Sequence, residues 1–554
     1  MTGSVVGLTN GGGTTVRRAW LRFSGLVVLA ACITAIVAYK SLQASSLNGR
    51  LCIPPIYDDV AYFIDAVRWR DGLAGRSLAG NLLNLLHQHA PFSTLVAAIG
   101  FRLVPDSYTG PYLVNAALVF AFLLAIVWLT WKRSFHQIAT CLFVAACVPA
   151  LWHTVAEGRP DLPWGLALGI AVGAVVARDV LSRNASALIV LGAGSGLAAS
   201  IKPTAFPASM AFLGSLFALR LLLDCMQTKG LRASSRAAIR ALLCFALPLL
   251  AVIGLLLGPS LVDTIKYIFN VFVTQRDLWT SGEGFWVGLQ YFLVGPGGKA
   301  GLNFWLWIGL LLMTARILLA TTMGRGAVHD AAVLLAAVVI AYAIPSVAEI
   351  KTYFFGAIFY GTFIVAMVLN FCEVQTQIES RIMTKCDGVY QRGLMDAIRF
   401  MPLAAIALLF VKMVIIGPVS PALWINEQQQ HEIRTATESV WTLVREATLD
   451  QSAPPIVAFS GAYPVAPGTI KLYGAQAHID LDVRSELFHR TLEQTEKALL
   501  AATILVISSS IQHTLTGPRL GDELIRKMDA NKDVCLLATQ TFPDVTLRVY
   551  RRGC

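Results

Sequence analysis

Tyr57-Asp58-Asp59-Val60-Ala61-Tyr62 is followed by Asp65 and then Arg68-Trp69-Arg70. Adjacent carboxylates raise each other's pKa unless a cation is close, so the pair Asp58/Asp59 suits a general base or a metal ligand. Read as a helix, the segment puts Asp58, Tyr62 and Asp65 near one face, with Val60, Phe63, Ile64 and Val67 covering the rest. The bland alternative is an N-cap made by either aspartate. A second acidic group is Glu157-Gly158-Arg159-Pro160-Asp161-Leu162-Pro163, where Asp161 serves equally well as a helix opener or as a carboxylate facing the first pair. Lys202-Pro203 offers a point charge for a phosphate, or a lysine that only snorkels. Arg276, beside Trp279, suits a phosphate clamp or a solvated loop. His87 and His89, two apart, have a poor helical spacing for a metal.

These residues lie between apolar stretches. Hydrophobic residues are 56% of the 554, charged residues 14%, and mean hydropathy is +0.64. Soluble domains carry about 25% charge, so the chain reads as an α-helical polytopic membrane protein. At about 20 residues per span, about eleven transmembrane helices are expected, at 23–40, 111–131, 137–153, 163–178, 186–201, 204–222, 241–258, 302–320, 331–348, 353–371 and 400–418. The run 92–104 is too short to span and carries Arg102, which places it along the membrane surface. A net charge of +11 would suit a nucleic-acid binder, but the basic residues sit in short patches beside apolar segments, so no nucleic acid is expected. Its Lys and Arg cluster in alternate loops (Lys132/Arg133, Arg178/Arg183, Arg220 to Arg240, Arg381 to Arg399), as the positive-inside rule expects. The opposite short loops hold only Arg159, Lys202, Lys266, Arg276, Lys299 and Lys351. The N-terminal tail 1–22 is then cytoplasmic. The transmembrane domain covers 23–419 with an outer loop 41–110, and the C-terminal domain 420–554 lies outside, periplasmic for an inner-membrane protein. The first apolar run lacks an Ala-x-Ala cleavage site and is taken as an uncleaved span.

The tail 420–554 alternates a helix over 425–449, short β-branched runs at 455–460 and 502–508, helical spacing over 484–500 and 521–531, and strands at 534–539 and 546–550. That is a small extracytoplasmic α/β domain with a partly parallel sheet. It has no Gly-rich nucleotide loop. The ten cysteines form no Cys-x-x-Cys pair and read as small membrane-buried hydrophobes.

One span, an outer loop opening Asp58-Asp59-Val60-Ala61-Tyr62, a Pro-led surface helix at His89-Ala90-Pro91-Phe92, a span ending Trp131-Lys132-Arg133 and an outer Asp161-Leu162-Pro163 follow one another in this order. The set resembles the C-type (GT-C) glycosyltransferase superfamily. Within it, the arrangement over about residues 20–300 is similar to the lipid A aminoarabinose transferases and protein O-mannosyltransferases. The resemblance implies a hexosyl- or pentosyltransferase. It would move a sugar from a polyprenyl-phosphate donor to an envelope glycan, lipid or protein acceptor at the outer face of the bilayer. Asp58 matches the family's essential carboxylate and Asp59 its acidic neighbour. Asp161 and Lys202 match the second-loop aspartate and the basic residue after the fifth span. Tyr62, Asp161, Lys202 and Arg276 become candidate substrate-binding residues. Asp58 and Asp161 become candidate ligands of a divalent metal cation, the one cofactor expected. The family's Lys-Pro-Pro is His89-Ala90-Pro91 here, which removes one cation.

Two other function classes compete. A transporter or lipid-linked-sugar flippase would carry ionisable groups at the membrane midplane and internal repeats. Here the acidic residues gather outside the membrane, and the sequence has no visible repeat. A sensor or assembly subunit would work through the outer domain.

Overall fold

The computed structural model describes residues 12–553 apart from 57, 73–76, 89, 106, 228–230, 275–283, 323, 349–350, 386–388, 417–423, 450–453, 462, 486–490 and 511–519. Each expected span falls on a helix. α1 (Gly12–Asn48) leads to three outer helices, α2 (Asp58–Asp71), α3 (Leu78–Leu86) and α4 (Pro91–Leu103). The bundle continues with α5 (Thr109–Leu129), α6 (Phe135–Ala146), α7 (Pro149–Ala156), α8 (Asp161–Val176), α9 (Ala185–Ser200), α10 (Phe206–Gln227) and α11 (Leu231–Leu257). The long third outer segment folds into α12 (Leu261–Phe269), α13 (Phe285–Tyr291) and α14 (Pro296–Gly301). α15 (Trp305–Ala320), α16 (Arg325–Val347), α17 (Ala357–Lys385) and α18 (Val389–Ile416) complete the bundle.

Length separates these helices into two kinds. Among the described residues, seven are long and apolar enough to cross a membrane, and two bent pairs (α6 with α7, at 59°, and 285–301 with α15, at 116°) bring the number to nine. The first bend falls at Pro149, which cannot donate to the helical ladder. α8 and α9 are 16 residues each, about 24 Å at the helical rise, short of the roughly 30 Å apolar layer. α4 lies where a surface helix was expected.

The helix pair that matters most for the site is α8 with α17. A Cβ on Gly361 would collide with the Gly165 carbonyl, and Cβ atoms on Gly165 and Gly169 would meet the carbonyls of Ala357 and Gly361. Glycine is needed at all three positions because the two backbones touch. The outer ends of this pair carry Asp161 and the run Tyr353-Phe354-Phe355. Gly361→Leu should therefore force the helices apart, cost about 1–3 kcal/mol, and appear as a lowered melting temperature of the purified protein.

The C-terminal chain forms α19 (Glu427–Leu449), β1 (Ile456–Phe459), α20 (Pro467–Gln476), β2 (Asp482–Ser485), α21 (Leu492–Leu500), β3 (Ile504–Ser508), α22 (Gly521–Ala530), β4 (Val534–Thr541) and β5 (Thr546–Arg552). Strand order is β2-β1-β3-β5-β4, with β1 parallel to β2 and β3, and β5 antiparallel to β3 and β4. Strand alternation splits the core. Val457, Phe459, Ile504 and Val506 pack with Ala436 and Val440 of α19 on one face. Ala458, Leu505 and Ile507 pack with Leu499, Leu524 and Met528 on the other. The partly parallel α/β reading holds, with two corrections. Residues 484–485 lie on β2 rather than in a helix, because they form the register Ala458↔Arg484 and Phe459↔Ser485 beside β1. The helix α20, within a Pro/Gly-containing stretch, is an addition.

This outer domain is not a separate bead. Leu472 of α20 packs among Val60, Phe63, Ile64 and Val67 of α2, and Val60 lies against Gly468. Thr469 Oγ1 donates to the Pro55 carbonyl at 2.5 Å. Arg434 Nε and Nη2 both donate to the Cys52 carbonyl, at 2.9 and 2.5 Å. The segment leading into α2 is thus held from the outer side by residues several hundred positions away.

Candidate functional site

The two ends of the bundle are marked by α1. Near its start Arg22 bonds to the carbonyls of Trp131 and Arg133, and near its other end Ser45 Oγ donates to the Ala156 carbonyl at 2.9 Å. The expected site residues Asp59, Asp161 and Lys202 gather at the second end.

Asp59 is the second residue of α2 and faces inward with Val60 and Phe63. It does not stand alone. Arg50, in the turn after α1, donates from Nη1 to Asp59 Oδ2 and from Nε to Glu157 Oε2, both at 2.7 Å. Arg50, Asp59 and Glu157 are 7%, 3% and 2% exposed. Burial pulls the Arg50 guanidinium down, but Asp59 and then Glu157 outweigh it and hold it well above its ordinary value.

Glu157 caps the end of α7. Gly158 follows at φ +66°, a left-handed conformation that glycine adopts freely, and a Cβ there would lie 2.9 Å from the Tyr112 ring. That turn sends Arg159 over the Phe354 ring, at 4.1 Å from its centroid. Asp161 then starts α8, where the helix dipole favours a carboxylate. It is paired with Lys202, whose ammonium also lies 5.0 Å from the Phe355 ring and 6.0 Å from those of Phe354 and Trp164. A cation over aromatic faces is attracted by their quadrupoles. Tyr353 completes the group. Its ring is partly buried, in electrostatic range of Glu157, Arg50, Arg159 and Asp161, and its hydroxyl is buried without a hydrogen-bond partner. Beside the cluster runs a narrow crevice between α2, α4 and α5. Tyr62, Phe92, Ser93, Asn115 and Gly158 line it, and it encloses about 10 Å³, room for one water.

No protein-family model matches the sequence, and no curated protein matches it significantly. Solved structures do match its fold. ArnT from Cupriavidus metallidurans aligns at TM-score 0.54 in the apo state and 0.55 bound to undecaprenyl phosphate. Identity is 12%, over 95% of this chain and 98% of that one. The archaeal oligosaccharyltransferase AglB from Archaeoglobus fulgidus, in complex with an inhibitory peptide and a dolichol-phosphate, aligns at TM-score 0.52 with 12% identity. That alignment covers 87% of this chain and 69% of the other. The fold is the one these solved structures share.

Within this fold, the sequence candidates separate. Asp59, Asp161 and Lys202 meet at one end of the bundle, and Tyr62 lines the neighbouring crevice. Asp58 opens α2, but its side chain lies outside the described residues, as do Arg276 and His89. Lys266 is 74% exposed beside Asp263, a solvated pair. Lys351 bonds to the carbonyls of Pro345 and Ser346 at the end of α16. Among the described residues no three His, Cys, Asp or Glu side chains are grouped to hold a metal ion, and Asp161 already carries the Lys202 ammonium. Three participants were not singled out from sequence: Arg50, Tyr353 and Phe354. Arg50 sits in a featureless turn, and the Tyr-Phe-Phe run looks like the start of an apolar span. The reading of the cysteines as membrane-buried hydrophobes fails at Cys535, on β4 of the outer domain, which is disulfide-bonded.

Proposed function

We propose that the chain is a membrane glycosyltransferase. It moves a hexosyl or pentosyl group from a polyprenyl-phosphate donor to a hydroxyl on an envelope glycolipid, polysaccharide or protein at the outer face. The observation that carries this reading is the convergence of Asp59, Arg50, Glu157, Arg159, Asp161, Lys202 and Tyr353 at the end of a GT-C bundle capped by the outer domain. The neighbours are described as bound to undecaprenyl phosphate and to dolichol-phosphate, which supports a lipid-phosphate donor. The apolar bundle supplies the setting for such a tail.

In this reading Asp58 takes the proton from the acceptor hydroxyl as that oxygen bonds the anomeric carbon. The bond from the anomeric carbon to the phosphate oxygen breaks, and its electron pair leaves on the phosphate. Lys202 and Arg159 meet that charge, and the Tyr353 hydroxyl donates to it. Asp161 holds Lys202 in place between turnovers. Tyr62 lines the approach of the sugar. Arg276 would add charge from the third outer loop. A divalent cation would need Asp58 together with an Asp161 released from Lys202. A cytoplasmic N-terminus with a periplasmic outer domain accords with the loop charges and with a disulfide at Cys535, since such bonds persist in oxidising compartments.

The test is mass spectrometry of envelope glycolipids and glycans from cells with and without the gene. Loss of a sugar-sized mass on deletion, restored by the wild-type chain, is expected. An unchanged envelope with the protein present in the membrane would overturn the reading. Lys202→Met should raise the donor KM roughly 10–150-fold, equivalent to a charged hydrogen bond of about 1.5–3 kcal/mol, with Lys202→Arg keeping part of the affinity.

A further inference from the structure

At the opposite end of the bundle, the ends of α15 and α17 and the start of α16 enclose a cavity of about 220 Å³ lined by Arg316, Asp330, Glu373, Gln377, Ala327 and Leu319 among others. Its charges are unevenly satisfied. Glu373 is taken on both oxygens, by Arg133 Nη2 at 2.7 Å and by Gln377 Nε2 at 3.0 Å. Asp330 accepts Arg220 on Oδ1, and its side chain is 41% exposed. Arg316 is different. Among the described residues it has no salt-bridge partner within 4 Å, and its one hydrogen bond runs from Nη1 to Asn370 Oδ1 at 3.1 Å. Asn370 is fully buried, and its Nδ2 has no hydrogen-bond partner. A mostly buried guanidinium, a buried amide with a spare donor and a half-exposed carboxylate therefore share one polar cavity.

We propose that this cavity binds a phosphate ester that also carries an ammonium group, of the phosphoethanolamine type. The phosphate accepts from the Arg316 guanidinium. The ammonium donates to the second oxygen of Asp330. A group with both charges fits better than a bare anion, because Asp330 and Glu373 lie close enough to oppose a second negative charge at Arg316. Depth points the same way. Arg316 lies four residues before the end of α15, and Asp330 five residues after the start of α16, so both stand at the level of lipid headgroups. The site is separate from the outer cluster and does not depend on sugar transfer.

The test is native mass spectrometry of the detergent-purified full chain with added phosphatidylethanolamine, phosphatidylglycerol, or soluble glycerophosphoethanolamine. Phosphatidylethanolamine should be retained at least fivefold over phosphatidylglycerol. Arg316→Gln should remove that preference. Ala327→Phe should also remove it, since it fills the cavity from a half-buried position and removes no charged group. If glycerophosphoethanolamine displaces the lipid, the ligand is read on its head alone and has a soluble source. If only the lipid binds, the source is the bilayer. Either result supports the site. Equal retention of both lipids, or retention unaffected by Ala327→Phe in a folded protein, would overturn it.

Discussion

Asp58→Asn should lower transfer about 100- to 10,000-fold, the usual contribution of a positioned general base, while leaving the melting temperature unchanged. The reason lies in its neighbour. Of the two adjacent carboxylates, Asp59 is committed to Arg50 and is 3% exposed, so it cannot collect a proton from an acceptor without breaking a buried pair. In the proposed mechanism the base role therefore goes to Asp58, the first residue of α2. Asp59→Asn gives the contrasting phenotype: lost stability with lost activity, because Arg50 loses its charged pair with Asp59. A purified Asp58→Asn protein that transfers sugar from a lipid-linked donor at the wild-type rate would remove Asp58 from the mechanism.

Arg50→Met should destabilise the folded protein by about 3–5 kcal/mol, the cost of leaving buried charge without its partner. Two carboxylates, Asp59 and Glu157, would then face each other with side chains 4% and 2% exposed. Their mutual repulsion falls on the two segments that frame the site, the start of α2 and the turn at Gly158. Transfer should drop with stability. Arg50→Met combined with Glu157→Gln should regain part of the melting temperature, because one of the two stranded charges is gone. A single Arg50→Met protein that melts like wild type would show that the triad contributes nothing to the fold.

What could be read from the sequence follows physical range. Apolar runs of about 20 residues determine local structure on their own, and the eleven expected spans all fall on helices. The helix α4 and the strands at 456–459, 504–508, 534–541 and 546–552 were likewise legible, since period and β-branching are local signals. Asp161 and Lys202 were each legible as candidates, but their pairing across 41 residues was not. Arg50 and Tyr353 were missed because nothing around them is periodic or polar enough to mark them. Their role appears only once α1, α7 and α17 bring their outer ends together. The strand β2 is four residues long with a mostly exposed burial pattern, too short and too polar to read as a strand.

The contact between Thr469 and Pro55 spans 414 residues of chain. For a protein threaded into the bilayer as it is made, this sets an order of events. At about 5–20 residues per second of synthesis, the segment leading into α2 waits roughly 20–80 s before the helix that covers it exists. Throughout that interval the apolar face of α2 has no partner from the outer domain, and the loop carrying Asp58 lacks its clamp. A half-made chain thus lacks the contact that holds this segment, and the frame around it is complete only once α20 has been made.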